Sequence, residues 1–305
     1  MIKSVFITAY NREKIFFNTL KKLKSCENYK EFKKLIIFQE ISKNTLQKIK
    51  EVDTKIEVIK TKYKEDASSL YKICYNTYIG FKTCFEKYKS EYVICLEEDI
   101  LPAYDFLKFH NEIVFKYRGD NKFFAVNSFS RDYDKNLKKK YNIDMNFSYS
   151  KFIYGVGKGW TISKEKWPIL KKMFKELISF NPNLAFDAYF EPEIKTNYYV
   201  IMPYRSRCYE QPSNGLTSRY VDRYNKKWID SKKSFLKKNN YKIKIYTYLP
   251  TMKYSWREDC LNYTTFNIFK TKIKYIKYII YKFIRNTIGQ KKYYIIKNYV
   301  KKNST

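Results

Sequence analysis

The sequence predicts an α/β fold, a mostly parallel sheet flanked by helices, on three observations. Short apolar runs alternate with amphipathic stretches at helical spacing over residues 1–100. The runs are apolar throughout, as strands buried on both faces require. The central run, Tyr92-Val93-Ile94-Cys95-Leu96, passes straight into Glu97-Glu98-Asp99, with Pro102 closing the segment. Ligands of open α/β sheets bind beyond the carboxyl ends of the strands. Like charges crowded there repel one another unless a cation joins them, so a metal–nucleotide site is expected at this point.

The elements follow in order. Ser4 to Ala9 reads as a strand and Tyr10-Asn11-Arg12 as a turn; a helix begins near Glu13, with Ile15, Phe16, Leu20 and Leu23 on one face and Asn11 placed to cap it. Strand, polar turn and helix N-terminus together make an anion-binding corner. Leu35–Phe38, ending at Gln39-Glu40, and Ile56–Ile59 are the next strands. Ser68–Tyr88 places Leu70, Ile73, Cys74, Phe81, Cys84 and Phe85 on one helical face. After Pro102 come a helix (Tyr104–Tyr117), a strand (Phe123–Ser128) and a long loop from Arg131 to Lys151. Gly155-Val156-Gly157-Lys158-Gly159-Trp160 is a Gly-rich turn that lets backbone approach a ligand, with Trp160 offering a flat face to a sugar ring or, in the plainer reading, packing in the core. Ser163 caps a helix through Trp167, Leu170, Met173, Phe174 and Leu177. Phe186 to Glu193 sets Asp187, Glu191 and Glu193 among aromatics, which suits a base or, equally, the acidic first turn of a helix. A last strand, Tyr198–Pro203, opens into Arg205, Arg207 and the loop Gln211–Ser218, a segment fit to close over phosphates.

Bulk properties limit the alternatives. A chain of 305 residues with 44% hydrophobic and 19% aromatic residues folds around a proper core. The net charge of +32 would fit nucleic acid or an anionic membrane. Abundant Lys beside scarce Arg, however, reflects compositional bias as much as a partner. The six cysteines form no CxxC pair and His110 is the lone histidine, which excludes structural zinc spacing. GxGxxG and Walker sequences are absent, against a dinucleotide or P-loop site. From Phe266 onward the chain carries Lys and Arg but no Asp or Glu, around the stripe Ile273, Ile276, Ile280, Phe283, Ile284 and Ile288. Such a basic amphipathic helix suits an anionic membrane surface or packs on its own domain.

The order of motifs resembles the GT-A-fold glycosyltransferases of the N-acetylglucosaminyltransferase I and protein O-mannose N-acetylglucosaminyltransferase group, over roughly residues 3 to 219. The matching pieces are Val5–Arg12, Ile36–Glu40, the acidic triplet with Ile100–Phe106, Gly157–Trp160, Phe186–Tyr189, and Arg207 with Gly215–Ser218. The resemblance implies a metal-dependent, inverting hexosyl or N-acetylhexosaminyl transfer from a nucleotide-sugar, a UDP-sugar first, to a hydroxyl of a glycan, glycolipid or protein. Asp99 would ligate Mn2+ or Mg2+, Glu98 meet the ribose and Glu97 the donor sugar. Ala9, Asn11, Arg12, Glu40, Trp160, Arg207 and Ser218 would line the donor site, and Asp187 would act as base with Glu191 sharing the role. Ala188 departs from an acidic position of some members, and the N-terminal anchor and stem of Golgi members are missing, so a cytoplasmic enzyme is expected, able to sit on the cytoplasmic face of a membrane through its tail. The expected organisation is a catalytic domain over 1–235 and a basic extension over 236–305. No specific nucleic acid is expected as a partner. The rival readings are a nucleic-acid binder using the basic, Tyr-rich surface, and a sugar-nucleotide-binding protein without turnover.

Overall fold

β1 (Lys3–Ala9) is buried from Ser4 to Ala9 because it lies inside the sheet, between β2 (Phe32–Phe38) and β4 (Tyr92–Glu97), parallel to both. A computed structural model describes residues 1–63, 67–129, 148–152, 156–179, 185–203, 206–211 and 247–248, all within one compact unit, Met1–Pro250. β3 (Glu57–Lys60), β5 (Ile100–Pro102), β6 (Phe123–Asn127), β7 (Ser148–Phe152), β8 (Trp160–Ser163), β9 (Tyr199–Pro203), β10 (Cys208–Glu210) and β11 (Thr247–Tyr248) complete the described strands. Nine of them form one mixed sheet in the order β11-β7-β9-β6-β8-β4-β1-β2-β3, while β5 pairs with β10 in a separate ribbon. β8 runs against β4 and β6, so β6 is parallel to β4, and β9 parallel to β6. The predicted α/β class, mixed and mostly parallel, is the observed one.

The sheet is covered on both faces. Alternation along β1 sends Val5 and Ile7 towards Phe16, Leu20 and Leu23 of α1 (Glu13–Lys24), Ile49 of α2 (Lys43–Val52) and Phe106, Leu107 and Phe109 of α4 (Phe106–Tyr117). Phe6 points the other way. It meets Phe81 of α3 (Ser69–Lys82) edge-on at 4.9 Å, in an aromatic layer with Trp160, Trp167 and Phe174, the last two from α5 (Trp167–Ser179). Phe186 and Phe190 of α6 (Phe186–Asn197) close that layer against Phe174. Gly80 sits where α3 presses on β1, and a Cβ there would overlap the Phe6 ring. The described cysteines, Cys26, Cys74, Cys84, Cys95 and Cys208, are free thiols buried in different layers.

Several local expectations shift. Ser68 caps α3 by accepting from Tyr71 N–H at 3.1 Å, but Ile73, placed on the apolar face by spacing, is exposed. Beyond Lys82 the helix widens into a π turn over Thr83–Lys87. Asn11 does not cap α1: Arg12 holds the cap position, and its side chain turns to the acids instead of the helix. Ser163 ends β8 and precedes a 3-10 turn, Lys164–Lys166, without a side-chain cap bond. Trp160 opens a strand that spacing alone left inside a turn.

No helix among the described residues is long and apolar enough to cross a membrane. The extension from residue 236, its amphipathic stripe included, lies outside the described residues except for Thr247 and Tyr248.

Candidate donor and metal site

The carboxyl ends of β1, β4 and β6 meet at one edge of the sheet, where β8 enters from the opposite direction. In an open α/β sheet this edge is where a ligand crevice forms. β4 delivers the acids there: Glu97 is its last residue, and Glu98 and Asp99 make the turn into β5. The turn is held by backbone, with Glu98 N–H donating to Thr8 O at 3.0 Å and Gln211 N–H to Asp99 O at 2.7 Å.

The three acids have different surroundings. Glu98 is 3% exposed, yet it accepts from Tyr10 N–H at 2.8 Å and from Arg12 Nε at 2.5 Å. Burial raises its proton affinity above the ordinary carboxylate value, although Arg12 pulls it down. Asp99, 9% exposed, accepts from Arg12 Nη2 at 3.1 Å. At the half-buried guanidinium the balance reverses. Burial disfavours the cation, but Glu98 and Asp99 together outweigh it and raise its affinity for the proton. Glu97 has a different set of neighbours. Burial first, then the charge of Asp99, push its carboxyl up to about 8; Lys158 opposes this, while Glu210 and Asp187 add to it. Glu97 is thus the carboxylate on which the charges of Asp99, Glu210 and Asp187 all bear, and Lys158 is ion-paired to Glu210.

Lys158 is held there by its turn. Gly159 has φ +59°, a conformation favouring glycine, and a Cβ on it would press on Phe106, 3.1 Å away. Gly157 N–H donates to Asn127 Oδ1 at 3.0 Å and Ser128 N–H to Gly159 O at 2.9 Å. Asp187 occupies the exposed first turn of α6, where the helix dipole favours an anion.

The donor set is all hard oxygen, the kind that suits a divalent cation such as Mn2+ or Mg2+. Among the described residues no group of three or more His, Cys, Asp or Glu side chains is gathered as a metal cage. Mn2+ and Mg2+ commonly take one or two carboxylates and complete the shell with water and phosphate oxygens. The mutual repulsion felt at Glu97 is what such a cation would relieve.

Other expected site residues divide. Ala9 is the buried last residue of β1, Asn11 is exposed at the following turn, and Glu40 is exposed just beyond β2. Trp160 is corrected from a sugar platform to a core residue: it is 1% exposed, its ring centre 4.8 Å from that of Phe81, because β8 lies between two sheet neighbours. Arg207 is likewise no phosphate clamp here: 3% exposed, it pairs through Nε with Asp105 Oδ2 at 2.6 Å, ahead of α4. Glu193 accepts from Asn197 one turn on, at 2.7 Å. Glu191 lies on α6 with its side chain outside the described residues, and Ser218 lies outside them altogether. Glu210 was not singled out from sequence, since an isolated acid after a short apolar pair carries no signal. Lys158 could have been: a lysine between two glycines is a charge on a tightly placed turn.

No protein-family model matches the chain, and no curated protein matches it in sequence. Among solved structures it is similar to the mannosyltransferase PcManGT of Pyrobaculum calidifontis in complex with GDP-Man and Mn2+ (15% identity, TM-score 0.45), covering 72% of this chain and 60% of that one. It is also similar to residues 1–349 of TarS from S. aureus in complex with UDP (16% identity, TM-score 0.48), over 84% and 78% of the two chains. A cytidylyltransferase of Leptospira borgpetersenii shares 12% identity with a TM-score of 0.43, over 80% of this chain and 99% of that one.

Proposed function

We propose that the chain is a glycosyltransferase of GT-A type that moves a sugar from a nucleotide donor to an acceptor hydroxyl. The observation that carries this is the delivery of Glu97, Glu98 and Asp99 to the carboxyl edge of a parallel sheet, with Arg12 paired to Asp99 and with the charges of Lys158, Glu210 and Asp187 reaching Glu97. The order of sequence motifs over residues 3 to 219 supports the same reading. An acidic edge of this kind does not suit a phosphate backbone unless a cation intervenes, which weighs against nucleic acid as the ligand.

Asp99 would hold the divalent cation. When bound, that cation offsets the negative charge growing on the departing nucleoside diphosphate. The chain supplies the rest. The corner from Ala9 to Arg12 offers a helix N-terminus and a guanidinium to the nucleotide; Glu98, fixed by Tyr10 and Arg12, would face the ribose and Glu97 the donor sugar. Asp187, exposed on α6, takes the proton of the acceptor hydroxyl as its oxygen forms the bond to the sugar C1 and the bond from C1 to the diphosphate oxygen breaks. Attack from the opposite face inverts that carbon. UDP-sugars are the first donors to try, and hexose against N-acetylhexosamine is a question for the panel below. The catalytic domain is proposed to end near residue 235, followed by a basic extension that meets an anionic membrane surface or packs on its own domain.

The test is a thermal-shift panel of UDP, GDP and their sugar conjugates with and without Mn2+, followed by donor turnover with the nucleotide that binds. A cation-dependent shift with turnover supports the transferase. A shift without donor hydrolysis or transfer leaves a sugar-nucleotide-binding protein, and no shift with any nucleotide sinks both.

A further inference from the structure

Thr19 and Gln211 form a buried relay that ends on the acid turn. Thr19, on α1, is fully buried and donates from Oγ1 to Glu98 O at 2.6 Å. The same hydroxyl accepts from Gln211 Nε2 at 3.1 Å, and that amide also donates to Ile15 O at 3.1 Å. Gln211 Oε1 accepts from Asn18 Nδ2 at 3.1 Å. The backbone N–H of Gln211 donates to Asp99 O at 2.7 Å. The carbonyls of Glu98 and Asp99 are therefore both held by one two-residue unit, Glu98 through the threonine and Asp99 directly. A capping serine or a core threonine would satisfy its own helix; Thr19 is turned to a strand-end turn 79 positions away.

We infer that Thr19 and Gln211 are positioning residues for the metal-binding turn, an inference that rests on the donor-site reading above. Fixing the peptide carbonyls of Glu98 and Asp99 fixes the direction in which their carboxylates leave the chain, and groups that orient metal ligands typically change affinity by about 10–100-fold when removed. Both act on the turn through its backbone carbonyls.

The experiment is calorimetric titration of UDP and GDP into the full chain across a series of Mn2+ concentrations. Gln211→Ala and Thr19→Val should raise the Mn2+ concentration for half-maximal nucleotide binding about tenfold or more. Thr19→Ser, which keeps the hydroxyl, should restore the wild-type value. The double variant should cost no more than the larger single change, since both act through one relay. Thr77→Val, which removes a buried hydroxyl from α3 far along the chain, serves as the control for general loss of stability and should leave the Mn2+ dependence unmoved. Gln211→Ala, at the outer end of the relay, carries the test if Thr19→Val does not fold. An unchanged Mn2+ dependence in Gln211→Ala overturns the inference. A wild-type chain that binds neither nucleotide in a Mn2+-dependent way overturns the donor-site reading first, and this inference with it.

Discussion

Arg12 Nη2 stands 3.1 Å from Asp99 Oδ2, so the carboxylate proposed to take a divalent cation already has a cationic neighbour within its own chain. The same guanidinium spans to Glu98, so one cation partners two adjacent, nearly buried acids. Arg12→Gln should lower stability by about 1–3 kcal/mol, less than for a fully enclosed pair because the guanidinium keeps some solvent. Millimolar Mn2+ should then raise the melting temperature of the variant more than that of the wild type. Equal shifts, followed by circular dichroism, would mean that the cation goes elsewhere.

Asp99→Asn keeps the shape of the turn and removes the charge. The stabilisation that UDP or GDP confers in the presence of Mn2+ should disappear, while any metal-independent shift remains. A persisting Mn2+-dependent shift assigns the cation to Glu97 or Glu210.

Asp187→Asn should leave nucleotide binding intact and cut transfer by at least about a hundredfold, the scale for loss of a general base. A transfer rate close to wild type would move the role to Glu191 or Glu193, to be read from the same assay on each Gln variant.

His110 predicts a specific response to acid. Its ring nitrogens meet the hydroxyls of Ser128 and Thr161 with no exposed surface, and burial pushes its pKa down to about 3. In the unfolded chain the ring titrates near its ordinary value of about 6.5. Between those values only the unfolded chain takes the proton, so stability falls as pH drops from about 6.5 towards 3, by up to about 1.4 kcal/mol per pH unit, and is unaffected above that window. Urea unfolding of His110→Gln from pH 4 to 7 should show a shallower slope than wild type; matching slopes would refute the assignment of this ring as buried and neutral.

Gly80→Ala tests the packing of α3 on β1. The added methyl overlaps the Phe6 ring, in a layer where Phe6 is already pressed against Phe81. A loss of about 1–3 kcal/mol in chemical unfolding is expected, the usual range for an overfilled core.

Where the chain could be read in advance, the reason is physical. The apolar runs at Val5, Ile36, Ile94 and Ala125 are central strands of a sheet covered on both sides, so burial left one pattern available to them. The place of the acidic triplet was legible because it directly follows such a run, with Pro102 closing the segment. Trp160 and Arg207 were not, because a flat ring and a guanidinium serve a ligand and a core equally well. What separates the two uses is a neighbour distant in sequence, Phe81 for one and Asp105 for the other. Long-range pairing also hid β8: a four-residue strand gains its identity only from Cys95 and Asn127 beside it. Thr19 and Gln211 lie 192 positions apart, and no local pattern joins them.

The distribution of the buried sulfhydryls gives this protein a built-in record of how it comes apart. Cys26 lies just past α1, Cys74 and Cys84 on the opposite side of the sheet, Cys95 in β4 and Cys208 in the outlying ribbon. Burial raises the pKa of the first four and suppresses the thiolate that an alkylating reagent needs. Pulsed alkylation in rising denaturant, read peptide by peptide in a mass spectrometer, would therefore date the opening of each stratum separately, without a single introduced probe.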